Sequence, residues 1–168
     1  MSNPTTAERT SEREIVVTRT FDAPARIVFE AWTKAELFRL WWVPKSLGMN
    51  LRSCEMDVRT GGGYRLEFGE DGATAMAFFG AYIEVTPHSR MVWSNDESAD
   101  GPVTTVTFEE RAGGTLLVLH DLYPSKEALD EAISTGSTSG IDETLSQLDE
   151  LLASAVDSTH EWLSVHGP

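Results

Sequence analysis

Basic residues are scarce in this chain: 13 lysines and arginines stand against 27 acidic residues, a formal net charge of −14. Such a surface repels phosphate backbones and anionic bilayers, which argues against nucleic acid and against membrane docking. The surplus carboxylates read as a solvated coat. Cysteine is nearly missing too. Cys54 stands alone, so no internal disulfide can form, and a reducing, cytoplasmic location is the expectation. Cys54 lies in a β-rich run with no histidine close by in sequence and reads as a small buried hydrophobe. No stretch reaches the ~20 apolar residues that a membrane span needs. Residues 1–13 are polar, lack a signal-peptide apolar region, and read as a flexible tail. His, Cys, Asp and Glu nowhere adopt metal-ligand spacing. The glycine run at 60–63 lacks the Gly-Lys-Ser/Thr ending of a phosphate loop and leads into a strand rather than a helix. No metal and no cofactor is expected.

What is present is a β-rich chain bracketed by helices. Ile15, Val17 and Phe21 alternate with polar neighbours, which predicts a strand over Glu14–Phe21. Asp22 and Pro24 break it and open a helix over Ala25–Thr33, with Val28, Ala31 and Trp32 at helical spacing. A second short helix, Ala35–Trp41, ends before Pro44. Strands are then predicted at 51–58, 64–68, 74–86, 91–94, 103–110 and 115–122. Gly80 marks a bulge or a close approach of two backbones. After a short helical segment at 125–134, Ile141, Leu145, Leu148 and Leu152 recur at i, i+4, i+7 and i+11, one apolar stripe on a long helix. Residues 14–157 thus form one domain, and 158–168 read as a second tail.

This order of elements predicts an α+β fold. Seven antiparallel strands have one apolar face to cover, and the C-terminal helix is long enough to cover it. A twisted sheet curls around that helix. The curved surface and the straight rod cannot touch everywhere, so a gap opens near one helix end.

Several motifs carry a resemblance in this order: Phe21-Asp22-Ala23-Pro24, Val28-Phe29-Glu30-Ala31-Trp32, Trp41-Trp42-Val43-Pro44, Asp57 to Gly62 with Tyr64, Gly80 to Val85, Val106-Thr107-Phe108, Gly114 to Leu119, and Gly140 to Leu151. Over residues 14–153 the chain resembles bacterial proteins related to the C-terminal domain of the activator of the heat-shock-protein-90 ATPase, within the START-like, polyketide-cyclase-like helix-grip superfamily. The resemblance implies a hydrophobic cavity between sheet and helix, and no single activity. Two positions depart from the family pattern. Val43 stands where glycine is usual, and Ile141 where tryptophan is common. Losing a tryptophan ring implies a larger or differently shaped pocket beside Ile141.

The candidate lining residues follow from the faces. They are Met56, Tyr64, Leu66, Phe68, Phe78, Trp93, Val106, Phe108, Leu117 and Leu119 from the sheet, Thr138, Ile141 and Leu145 from the helix side, and Trp41 and Trp42 from the short helices. Each alone is more simply a core residue; the architecture, not the single residue, predicts a pocket. Tyr64, Thr138 and the Trp93 indole supply its polar groups. His120 and Asp121 are adjacent on a strand, point to opposite faces and cannot pair with each other, so His120 reads as a solvent-facing residue. Asp57 and Arg59 share a face and are placed to form a local ion pair.

A small hydrophobic molecule is therefore the expected partner. A chaperone, docking on the surface, is the alternative the family name suggests. A cyclase or dehydratase needs convergent acid and base groups in the pocket, and the sequence displays no such pair. Monomer and homodimer both stay open.

Overall fold

The computed structural model describes residues 5–47, 50–69, 76–112, 114–134 and 140–166, with only the backbone described for Leu47, Asn50, Phe68, Met76 and residues 155–166. The elements run β1 (Thr6–Arg9), β2 (Glu14–Phe21), α1 (Ala25–Thr33), α2 (Ala35–Trp41), a 3-10 turn (Lys45–Leu47), β3 (Asn50–Met56), β4 (Gly63–Gly69), β5 (Met76–Thr86), β6 (Arg90–Ser94), β7 (Val103–Arg111), β8 (Gly114–Leu122), α3 (Lys126–Ser134) and α4 (Ile141–His166). Every strand pairing is antiparallel, in the spatial order β1-β2-β8-β7-β6-β5-β4-β3. The curled sheet, two short helices and long terminal helix make the expected helix-grip fold.

Among the described residues the sheet has eight strands, not seven. Thr6–Arg9 lies inside the segment read as a tail and pairs with β2 from Thr6↔Thr18 to Arg9↔Ile15. All four of its residues are exposed. The strand is held by its backbone ladder, so it carries no apolar period for a sequence reading to detect. At the other end, α4 continues to His166 through most of the segment read as the second tail. No glycine or proline interrupts that run before Gly167 and Pro168.

Burial follows the predicted alternation. Ile15, Val17, Arg19 and Phe21 of β2 face inward. Val106 and Phe108 of β7 and Leu117 and Leu119 of β8 share the same side, against Leu145, Leu148 and Leu152 of α4 in one core. The register of β5 slips between Tyr82 and Glu84, leaving Ile83 about half exposed. The bulge therefore sits at Ile83. Gly80 is the close approach: a Cβ there would lie 1.9 Å from the Ser94 carbonyl oxygen. Arg59 does meet Asp57, with Nε–Oδ2 at 3.0 Å, and both side chains are exposed.

The segment Trp41 to Ser46 is stitched onto α4 by side chains of that helix. Gln147 Nε2 donates to the carbonyls of Trp41 (2.8 Å) and Val43 (2.9 Å), while its Oε1 accepts the Lys45 N–H (2.8 Å). Thr144 Oγ1 donates to the Trp42 carbonyl at 3.2 Å. Glu143 accepts both the N–H and the hydroxyl of Ser46. Buried backbone groups of an irregular loop need such partners. Val43 is not among the non-glycine residues with positive φ, so valine fits there without strain.

Candidate functional site

A cavity of about 850 Å³ lies between the sheet and the start of α4. Its wall includes Trp42, Met56, Tyr64, Leu66, Phe78, Trp93, Leu119 and Ile141, eight of the residues expected to line a pocket. Trp41, Val106, Phe108, Leu117 and Leu145 do not line it. They are at most 4% exposed and lie in the close-packed core. The reason is local: α1 packs over this part of β7 and β8, with the Phe29 ring 5.4 Å from Phe108. Trp41 is locked by its indole N–H, which donates to the Ala31 carbonyl at 3.0 Å. Thr138 and the side chain of Phe68 lie outside the described residues.

The aromatic wall is continuous with a ring cluster. Trp32 sits 4.8 Å from Trp41, 5.8 Å from Trp42 and 5.9 Å from Trp93, centroid to centroid. Phe38 stacks on Trp42 at 4.8 Å. Trp32, Phe38, Tyr82, Met91, Tyr123, Ile15 and Val17 also line the cavity. The Trp32 indole N–H is buried and meets no acceptor among the described residues. Ile141 is half-buried on the wall, with the void beside it that its replacement of tryptophan implies.

One stretch of wall is polar. Tyr64 Oη donates toward the Ser94 carbonyl (2.8 Å) and Asn95 Oδ1 (3.2 Å). Asn95 Nδ2 donates to the Pro102 carbonyl (2.7 Å) and to Thr104 Oγ1 (3.1 Å). Thr104 in turn donates to Asp121 Oδ1 at 2.5 Å. Burial pushes Asp121 up to about 6, against the lowering pull of the Thr104 hydrogen bond and of His120. Glu97 lines the same cavity. Its Oε2 is shut from solvent without a hydrogen-bond partner among the described residues, and burial raises its carboxyl above the usual range against the pull of backbone N–H groups of Glu97 and Phe79. Burial likewise raises the Tyr64 and Tyr82 hydroxyls, so both remain neutral donors.

His120 and Asp121 do point to opposite faces. His120 Nε2 meets Glu14 Oε2 at 2.6 Å on the outer side, a contact that holds the Glu14 carboxyl below its usual range. Cys54 is half-buried and its thiol is pushed up by burial, in keeping with an inert filler. Among the described residues, no group of three or more His, Cys, Asp or Glu is placed to hold a metal, and no helix is long and apolar enough to cross a membrane.

The fold has known counterparts. No curated protein matches the chain. Among solved structures, a Rhodobacter sphaeroides protein superposes with a TM-score of 0.81 at 21% identity, covering 89% of this chain and 98% of that one. A Staphylococcus epidermidis protein gives 0.75 at 28% identity, covering 89% and 94%. An AHSA1-like protein from Aeromonas hydrophila gives 0.64 at 18% identity, covering 83% and 93%. Residues 22–153, most of the chain, match the family described as Activator of Hsp90 ATPase homolog 1-like protein, and the chain belongs to that family.

Proposed function

We propose that this protein binds a small hydrophobic molecule, lipid-, polyketide- or aromatic-like, in the cavity between sheet and terminal helix. The observation that carries this reading is the cavity itself. Its volume of about 850 Å³ is lined chiefly by aromatic and aliphatic side chains with a few converging polar groups. That is the usual make-up of a small-molecule site, for which volumes of roughly 300–1,000 Å³ are typical. A thermal-shift screen of fatty acids, polyketide-like phenols and aromatic amines and acids tests it. A guest at a hundredfold excess over its dissociation constant stabilises the fold by about 2.7 kcal/mol. A screen in which no class shifts the melting temperature removes the reading.

Asp121 favours a second reading, acid–base chemistry of the cyclase or dehydratase kind. A carboxyl titrating near 6 on a cavity wall exchanges protons readily at neutral pH. Turnover of a bound guest that disappears in Asp121→Asn, while binding persists, is the expected result; turnover that survives the substitution excludes Asp121. The family also fits a chaperone partner, which a pull-down with a bacterial Hsp90 homologue would reveal.

A further inference from the structure

The direction of the hydrogen bonds on the polar wall says what the guest must bring. Tyr64 has one O–H, aimed at the Ser94 carbonyl and Asn95 Oδ1. Both N–H groups of the Asn95 amide are taken, by Pro102 and Thr104. The Thr104 hydroxyl is given to Asp121. Every donor along this relay is engaged, and the relay ends on a carboxylate, which only accepts. Asp121 Oδ2 receives no donor among the described residues, and Asp121 lines the cavity. Glu97 adds a second, independent acceptor, a buried Oε2 without a hydrogen-bond partner among the described residues.

The charges on the wall have the same sign bias. The ionisable residues lining the cavity are Glu8, Arg9, Glu97, Asp121 and Glu143, together with tyrosines. Arg9, the one cation among them, is held by Asp130 at 2.8 Å. Glu143 is bound to Ser46 and Glu8 is exposed; Asp121 and Glu97 are the remaining, half-buried carboxylates of the wall, and neither has a cation among the described residues. The same cavity is lined by Trp32, Trp93 and Tyr82, whose electron-rich faces attract cations.

We infer that the guest is a hydrophobic amine whose ammonium group donates to Asp121, on a wall that Glu97 also makes negative, while its apolar body fills the aromatic part of the cavity. This rests on the cavity being a binding site and adds to it the charge and donor character of the ligand. An anionic guest would meet two carboxylates and no unpaired cation among the described residues; the unpartnered Trp32 indole N–H on the wall is a neutral donor. A neutral alcohol donates one hydrogen without the charge. At a carboxylate largely shut from solvent the charge separates the two: both hydrogen bonds are charge-assisted, and the amine adds the attraction of an ion pair, expected as a preference of about tenfold or more.

The test is calorimetric titration of the full chain at pH 7.5 with 4-phenylbutylamine, 4-phenylbutanol and 4-phenylbutyrate, alongside Nile red as a neutral apolar probe. The expected result is binding in the order amine, alcohol, acid, with about tenfold or more between the first two. Asp121→Asn abolishes that preference by weakening the amine more than the alcohol, and Glu97→Gln reduces it. Equal binding of the three, tighter binding of the acid, or an amine preference that survives both substitutions overturns the inference and leaves the cavity reading standing. Nile red binding with no amine binding does the same. Failure of all four probes removes the cavity reading and this inference together. Should Asp121→Asn not fold, Glu97→Gln alone decides, since an unaltered preference there refutes the negative wall.

Discussion

Thr104 and Asp121 are direct partners in the β7–β8 ladder, and their side chains meet across it at 2.5 Å on the cavity wall. This contact does not neutralise the cost of burying the Asp121 carboxylate, which is pushed up to about 6 from an ordinary 3.8. The fold therefore prefers the protonated form. The penalty is fully present above pH 6 and is relieved as the pH falls from about 6 to about 4. A rise of about 2 pH units corresponds to about 3 kcal/mol as an upper bound. Around Asp121 stand Thr104, His120 on its own strand, Tyr123, Tyr64, and near Tyr64 Glu97 and Asp96. Asp121→Asn should be the more stable protein at pH 7.5 and lose its advantage by pH 4. Glu14, Asp130 and Glu143, all held below their usual range, lose stability in acid in both proteins and cancel in the difference. Urea unfolding of the two proteins at pH 4, 6 and 7.5 measures it. A constant difference across that range contradicts the assignment.

Arg19 shows the opposite electrostatic logic. Its guanidinium is almost wholly buried, reaches Asp149 of α4 at 3.0 Å and Ser146 at 3.1 Å, and lies 5.7 Å from the Phe21 ring centre. It ties the second strand to the terminal helix. Removing one partner of a buried pair costs about 3–5 kcal/mol, whereas replacing both by apolar side chains is often neutral. Asp149 keeps some exposure and Asp142 stands 3.7 Å away, so the lower end applies. Asp149→Asn should cost about 3 kcal/mol, and the double change Arg19→Met with Asp149→Leu should recover most of it. A double variant no more stable than Asp149→Asn would show that the guanidinium's remaining contacts, not the pair, hold the helix.

How far the sequence leads is visible in these residues. Period-2 alternation placed Leu66, Phe78 and Leu119 inward, and the same parity carries Thr104 with Val106, Tyr82 with Phe78 and Asp121 with Leu119. The signal for half the polar wall was in the strands, hidden because Thr and Asp read as surface types. Asn95 and Glu97 come from a loop between β6 and β7, where no period exists to give direction. The stitching of Trp41 to Ser46 by Glu143, Thr144 and Gln147 joins positions about 100 residues apart and leaves no local trace. Strand β1 is invisible for a related reason: all four of its residues are exposed, so no apolar alternation marks it.

Gly80 should prove intolerant in a way that Gly61 is not. A Cβ at Gly80 would sit 1.9 Å from the Ser94 carbonyl oxygen and 3.0 Å from the Tyr64 ring, and the first contact is backbone. Strand β5 or β6 must move, taking with it the carbonyl that Tyr64 holds. Gly80→Ala should cost about 2 kcal/mol or more and lower guest affinity as well. At Gly61 the added Cβ meets nothing within 4 Å, but φ is +89°. Gly61→Ala should cost about 1 kcal/mol of backbone strain and leave binding unchanged. Chemical denaturation and guest titration on both variants check the pair; equal losses of affinity would show that Tyr64 and its neighbours do not shape the pocket.

Ile141 offers the most direct handle on the cavity. It opens α4, is half-buried, and lines the void that a tryptophan would enter. Ile141→Trp should fill part of that space, gaining about 1–2 kcal/mol of stability from added apolar burial and weakening guests by about tenfold or more. Leu145, one turn further along, is fully buried and away from the cavity wall. Leu145→Ala should cost about 2–5 kcal/mol, yet the protein that remains folded should bind as tightly as before. The two variants thus separate filling the pocket from weakening the core. Stability rises while binding falls in the first, and stability falls while binding holds in the second. If Ile141→Trp instead destabilises the chain and guest affinity is unchanged, the space beside Ile141 is not where the ligand sits.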